Sequence, residues 1–269
     1  MQALAAAAAW VAMSNAAATV ATGITVSDLR VELAALTPGA SPGVSFFSTI
    51  GSTAESDSSY GAQSTGAHQS FASGQPFGAA NASTPASPFA GSAAAISGDA
   101  FGAGGFIQTS AYASSLVPQS LGEATIGLVD DESTASFMLA PWTVMTISAN
   151  VQSWASSTGA TPSEEANSGV LMAIGDSQGT GPQFAWVNFD AFAFGALGAV
   201  QDNESFAISL SYENASDAAI SGLFSGYVSS YASSGMAVSA VPEPGPAAMS
   251  LAGLLFVLAT ACARSRPRQ

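Results

Sequence analysis

Residues 143–154 read Thr-Val-Met-Thr-Ile-Ser-Ala-Asn-Val-Gln-Ser-Trp, and apolar and polar side chains alternate along them. Met145, Ile147, Ala149 and Val151 take one parity, while Thr146, Ser148, Asn150 and Gln152 take the other. A period of two puts successive side chains on opposite faces of an extended chain, so the segment reads as a half-buried strand. Residues 205–212 repeat the pattern, with Phe206, Ile208, Leu210 and Tyr212 set against Ser205, Ala207, Ser209 and Ser211. No segment ahead of residue 241 pairs a 3.6-residue apolar period with helix caps. The chain is thereby constrained to sheets.

Further strands are expected at 24–36, 44–50, 105–113, 123–129, 136–139, 170–174, 183–194, 219–230 and 236–240. Turn chemistry separates them: Thr37-Pro38-Gly39 with Ser41-Pro42-Gly43, the break at Ala140-Pro141, and Glu213-Asn214-Ala215-Ser216-Asp217. Residues 155–168 read as a polar, acidic loop. Residues 51–103 are poor in large apolar side chains and rich in Ser, Ala and Gly. Two readings stand for them: a low-complexity spacer, or a series of short strands whose small side chains fit a tightly packed sheet. Many short strands between turns predict an all-β fold, a two-sheet antiparallel β-sandwich of jelly-roll or Ig-like kind spanning 24–240.

Charge narrows the function classes. Lys is absent, Arg30 is the one basic residue before Arg264 (His68 aside), and the formal net charge is −14. Such a surface cannot neutralise phosphates, which excludes nucleic acid as a partner. Charged residues make up only 8%, against about a quarter in ordinary domains, so Ser, Thr, Ala and Gly cover the surface. With Cys262 the single cysteine, no intramolecular disulfide forms and packing alone must hold the body together.

Candidate chemistry is sparse. His68, the single histidine, lies in a Ser/Gly-rich stretch and reads as a plain surface residue, so a Ser–His–acid triad is not assigned. No Cys/His cluster is spaced for zinc. The carboxylate runs Glu164-Glu165 and Asp130-Asp131-Glu132 are weighed as an acid/base pair and as a calcium rim, and both read as solvated acidic turns. Trp142, Trp154 and Trp186 are either core or a stacking platform for sugar rings, with core the expectation. No catalytic residue, metal site or cofactor is therefore assigned.

The last residues have an order of their own. Val241-Pro242-Glu243-Pro244-Gly245-Pro246 comes first and cannot be helical, because each Pro lacks an N–H and restricts its predecessor. Residues 247–263 follow without a charge, at the lower edge of the roughly 17–25 residues that span a bilayer as a helix. Arg264, Arg266 and Arg268 close the chain as a stop on the cytoplasmic side. Residues 1–23 have an apolar centre and small-residue cleavage options, such as Ala16-Ala17-Ala18, but no basic start, and read as a signal-peptide-like segment that is truncated.

This tail resembles the PEP-CTERM sorting signal of Gram-negative bacteria. The resemblance implies that Val241, Pro242, Glu243 and Pro244 are recognised by exosortase, a membrane cysteine protease. It implies anchoring in the inner membrane before processing, then release to the cell surface or beyond, where family members are linked to exopolysaccharide and biofilm. Residues 36–46 and 137–147 are also similar to a looser pattern of Pro, Gly and Thr in that group. The expected function is a non-enzymatic exported surface or matrix protein with extracellular polysaccharide as a partner. A carbohydrate-binding or carbohydrate-active module with its site around Trp186 is the alternative, and a calcium- or ice-binding adhesin-like protein the second.

Overall fold

The structure, a computed structural model, describes residues 20–47, 51–72, 79–85, 87–97, 105–114, 116–117, 119–127, 136–176 and 185–235. Among these the chain is all-β, and every strand pairing is antiparallel. One sheet has six strands in the order β13 (Val200–Asn214), β10 (Thr143–Ser157), β1 (Val20–Ala35), β7 (Phe106–Ala113), β6 (Ala90–Ser97) and β5 (Ala80–Ser83). The other has eight. Six lie in line as β12 (Ala185–Phe194), β11 (Glu165–Asp176), β14 (Ile220–Ser234), β8 (Ser120–Gly127), β3 (Gly51–Tyr60) and β4 (Gln63–Ala72). β9 (Phe137–Leu139) pairs with the start of β14, and β2 (Val44–Phe46) pairs with β9. Strand pairs nest around the β11–β12 connection: β11 with β12 in the eight-stranded sheet, β10 with β13 in the six-stranded one, β9 with β14 in the eight-stranded one again.

The alternation read from residues 143–154 is the burial pattern of β10, whose Met145, Ile147 and Val151 are fully buried. These face Ile126, Met172, Phe224 and Val228 of the opposite sheet in one large core. A second cluster is built differently: seven of its eight buried members are alanine, the eighth being Val20. There the sheets approach closely. A Cβ placed on Gly122 of β8 would stand 2.5 Å from the Gly91 carbonyl oxygen of β6 and 2.8 Å from that of Tyr112 in β7. Only a residue without a side chain fits between two backbones at that distance.

Between the two clusters runs a row of buried hydroxyls. Ser56, Ser230 and Ser168 share one register row across the eight-stranded sheet, linked through Ala124. Each meets a hydroxyl of the other sheet: Ser56 with Ser92, Ser230 with Thr109 and Ser168 with Ser153, all at 2.7 Å. Ser56 Oγ also donates to the Ser92 carbonyl, Ser92 Oγ to that of Asp57 and Ser168 Oγ to that of Trp154. No buried side-chain polar atom is left without a partner among the described residues, as burial of polar groups demands.

Residues 51–72 and 79–97 settle one open reading. Most of the described residues there form strands β3 to β6, joined by short turns, so for them the small-side-chain reading holds and the spacer reading does not. Inward Ser52, Ala54, Ser56 and Ser58 are buried, while Glu55 and Asp57 face out. The acidic loop expected at 155–168 is shorter than the sequence implied. β10 runs on to Ser157 and β11 begins at Glu165, because Ser153, Ala155 and Ser157 are small enough to pack inward. β1 begins at Val20, so residues 20–23 of the leader-like segment lie in the sheet, with Val20 and Thr22 buried; residues 1–19 are outside the described ones. The strand expected at 236–240 and the transmembrane run 247–263 are outside them too. Among the described residues no helix is long and apolar enough to cross a membrane.

Ser230→Ala strands the Thr109 hydroxyl and is expected to cost about 1–3 kcal/mol. Thr109→Val with Ser230→Ala removes both partners, and the pair should cost clearly less than the two single changes summed. Urea midpoints of the four proteins check this.

Candidate functional site

The outer face of the eight-stranded sheet holds a depression of about 440 Å³, within the size range of small-ligand sites. Register explains its shape. Gly169 of β11 is paired with Ser229 of β14 on one side and with Asp190 of β12 on the other. Gly169 and Ser229, with little or no side chain, are the floor, and Asp190 stands at its edge. Two residues along in one direction stand Asn167 and Tyr231, with Glu123 of β8 beside the tyrosine. Two residues along in the other direction stand Leu171 and Tyr227, again a direct pair. Alternation sends all of these to the same face, so a trough crosses the strands between two ridges, each carrying one tyrosine.

The two tyrosines are four residues apart on β14, about 13 Å at some 3.3 Å per residue. Tyr227 is 43% exposed, and its hydroxyl lies 3.3 Å from the Thr125 hydroxyl of β8, so its ring leans toward that strand. Glu123 and Asp190 are exposed and Glu165 half-buried at the rim. Among the described residues the only basic side chains are Arg30, on β1 of the other sheet, and His68. His68 Nδ1 already sits 2.9 Å from Glu55 Oε1. Among the described residues no cation stands beside the rim carboxylates. A trough of this make offers two aromatic surfaces, carboxylate and amide acceptors, and a floor that a flat ring can approach.

The sequence candidates fare unevenly. Glu164 and Glu165 do not act together. Glu165 points out into the trough, whereas Glu164 is fully buried. Glu164 Oε2 accepts from Ser157 Oγ at 2.6 Å and from the Gly159 N–H at 2.9 Å, and Oε1 accepts from the Thr161 N–H at 3.2 Å. This carboxylate closes the β10–β11 turn and has no free oxygen to offer a substrate. Asp130, Asp131 and Glu132 lie outside the described residues. Among the described ones no group of three or more His, Cys, Asp or Glu stands together as a metal site. His68 is exposed on the surface, as expected. Asn214 at the end of β13 is buried, its amide donating to the carbonyls of Leu139, Ala140 and Ala218.

Trp142 and Trp154 do not share a platform. Trp142 occupies the tight turn before β10 with a left-handed backbone (φ 55°). Trp154 lies over Gly23 on the outer face of the six-stranded sheet, where a glycine Cβ would meet its indole nitrogen at 2.9 Å. Twelve residues of extended chain, about 40 Å, separate the two. Neither belongs to the buried core, contrary to the core expectation. Trp186 pairs in register with Ala173; its side chain is outside the described ones. Tyr227 and Tyr231 are the aromatic residues that the sequence reading passed over, and the parity Tyr227, Ser229, Tyr231 was the signal for them.

Val241, Pro242, Glu243 and Pro244, with Arg264, Arg266 and Arg268, lie outside the described residues. The two body segments 36–46 and 137–147 do lie side by side. Val44 pairs with Leu139 and Phe46 with Phe137, the Ala140 N–H donates to the Gly43 carbonyl, and the Leu36 N–H donates to that of Trp142. No protein-family model matches the chain, and no curated protein matches it either.

Glu164→Ala leaves several donors unanswered in the β10–β11 turn and is expected to lower stability by about 3 kcal/mol. Glu165→Gln and Asp190→Asn, at the trough rim, should each move it by less than about 0.5 kcal/mol. Chemical denaturation of the three variants separates the structural carboxylate from the two at the trough.

Proposed function

We propose that this chain is an exported, non-catalytic β-sandwich protein, sorted to the cell surface or extracellular matrix by its C-terminal signal. The observation that carries this reading is the order of the tail: Val241-Pro242-Glu243-Pro244, then nineteen uncharged residues (245–263), then Arg264, Arg266 and Arg268. Exosortase is the processing partner in this reading, and the membrane is the site of processing. The nested pairs β9/β14, β10/β13 and β11/β12 support the jelly-roll form of the sandwich. The lone Arg30 in an acidic body, against three Arg behind the apolar run, supports a body outside and a tail inside.

A specific observation favours a second reading, a carbohydrate-binding module. It is the trough between Tyr227 and Tyr231 on the outer face of the eight-stranded sheet.

The sorting reading is tested in a Gram-negative host that carries an exosortase. The whole chain should reach the cell surface, and removal of residues 241–269 should abolish surface display. Equal display of the shortened chain refutes it. Glu243→Ala with Pro244→Ala should leave the uncleaved form in the inner membrane, seen as a larger band in membrane fractions.

A further inference from the structure

The trough has a chemistry that selects among glycans. Its ridges present Tyr227, 43% exposed, and the half-buried Tyr231. Aromatic faces take the apolar C–H face of a pyranose ring and also attract cations. Its floor, Gly169 and Ser229, is low enough for a ring to lie between them. Glu123, Glu165 and Asp190 at the rim supply carboxylate hydrogen-bond acceptors. With Arg30 on the other sheet and His68 facing Glu55, no described protein cation answers these carboxylates. Uronic-acid, sulfated and phosphorylated polymers would bring like charges together at this rim.

The backbone positions of the two tyrosines are about 13 Å apart along β14, which leaves room for more than one sugar ring along the trough. The trough is also stiff. Ser168 and Ser230 alternate with its Asn167, Gly169, Ser229 and Tyr231, and both serines are bonded through to the opposite sheet. A preformed groove loses little freedom on binding.

We infer that the trough between Tyr227 and Tyr231 binds an amino-sugar glycan, a chain of pyranose rings carrying free ammonium groups. The rings lie on the tyrosines and across Gly169, the ammonium groups meet Glu123, Glu165 and Asp190, and hydroxyls meet Asn167 and Ser229. The inference rests on the carbohydrate-binding reading and is independent of the tail, so a failure of surface sorting leaves it standing.

Titration calorimetry on the whole chain in detergent, with glucosamine oligomers as the probe, tests it. Binding is expected, weakening steeply as salt rises. Tyr231→Ala and Asp190→Asn should each lower affinity about tenfold, the equivalent of about 1.4 kcal/mol, while Tyr231→Phe should hold it within about twofold. Glu204→Gln with Asp217→Asn, exposed and away from the trough, should leave it unchanged. Oligomers of the same length with N-acetyl groups, or of uronic acid, should bind at least tenfold more weakly. Equal binding of the N-acetylated oligomer overturns the amino-sugar assignment but keeps a glycan site. Loss of affinity as large in the Glu204/Asp217 variant as in Asp190→Asn overturns the site, reducing it to general attraction by an acidic surface. No binding of any oligomer overturns the carbohydrate reading with it.

Discussion

Three hydroxyl pairs hold the two sheets at a fixed distance. Ser56 with Ser92, Thr109 with Ser230 and Ser153 with Ser168 bridge the interior along a single register row of the eight-stranded sheet. A serine or threonine buried without a partner costs more than its hydrogen bond returns. The row therefore tolerates one register and one sheet separation, and a slip of one residue would send all three serines outward. On one side of the row the sheets stand far enough apart for Phe137, Phe224 and Met172. On the other they close down until alanines and Gly122 fill the gap. The sandwich is thus a wedge with a polar seam across it.

The seam also explains what could be read from the sequence. Where large side chains point inward, as in β10 up to Val151 or β13 from Phe206 to Tyr212, hydropathy alternates and the strands were legible. Where the inward residues are serine and alanine, both parities look equally polar. Ser52, Ala54, Ser56 and Ser58 are buried although their neighbours Thr53 and Ser59 differ little from them in hydropathy. That is why β3 to β6 read equally well as spacer, and why the ends of β10 and β11 vanished into an expected loop. Glu164 misled for a related reason: a carboxylate in a polar run looks solvated until the turn's N–H groups are seen closing on it.

The trough was illegible for a different reason. Its residues come from β8, β11, β12 and β14, and strand order decides which of them stand together. Tryptophan count drew attention to Trp142, Trp154 and Trp186, yet register places Trp154 on the other sheet. The neighbours Tyr231, Asn167 and Glu123 become a cluster only once β14 is known to run between β11 and β8. Sequence gave the composition of the surface, acidic and poor in bases; the sheet order turned that composition into a place.

Long antiparallel strands leave open edges, which invite pairing with other chains. Here each lateral opening of the sandwich carries a side chain from the facing sheet. Gln69 of β4 accepts from the Asn81 N–H of β5 at 2.6 Å, and Asp202 of β13 accepts from the Phe192 N–H of β12 at 3.0 Å. A foreign strand approaching β5 or β12 must first displace one of these bonds, and at β12 it must do so against a carboxylate. For a chain in which 48% of residues are hydrophobic, these two contacts oppose edge-to-edge fibre growth without any need of a disulfide.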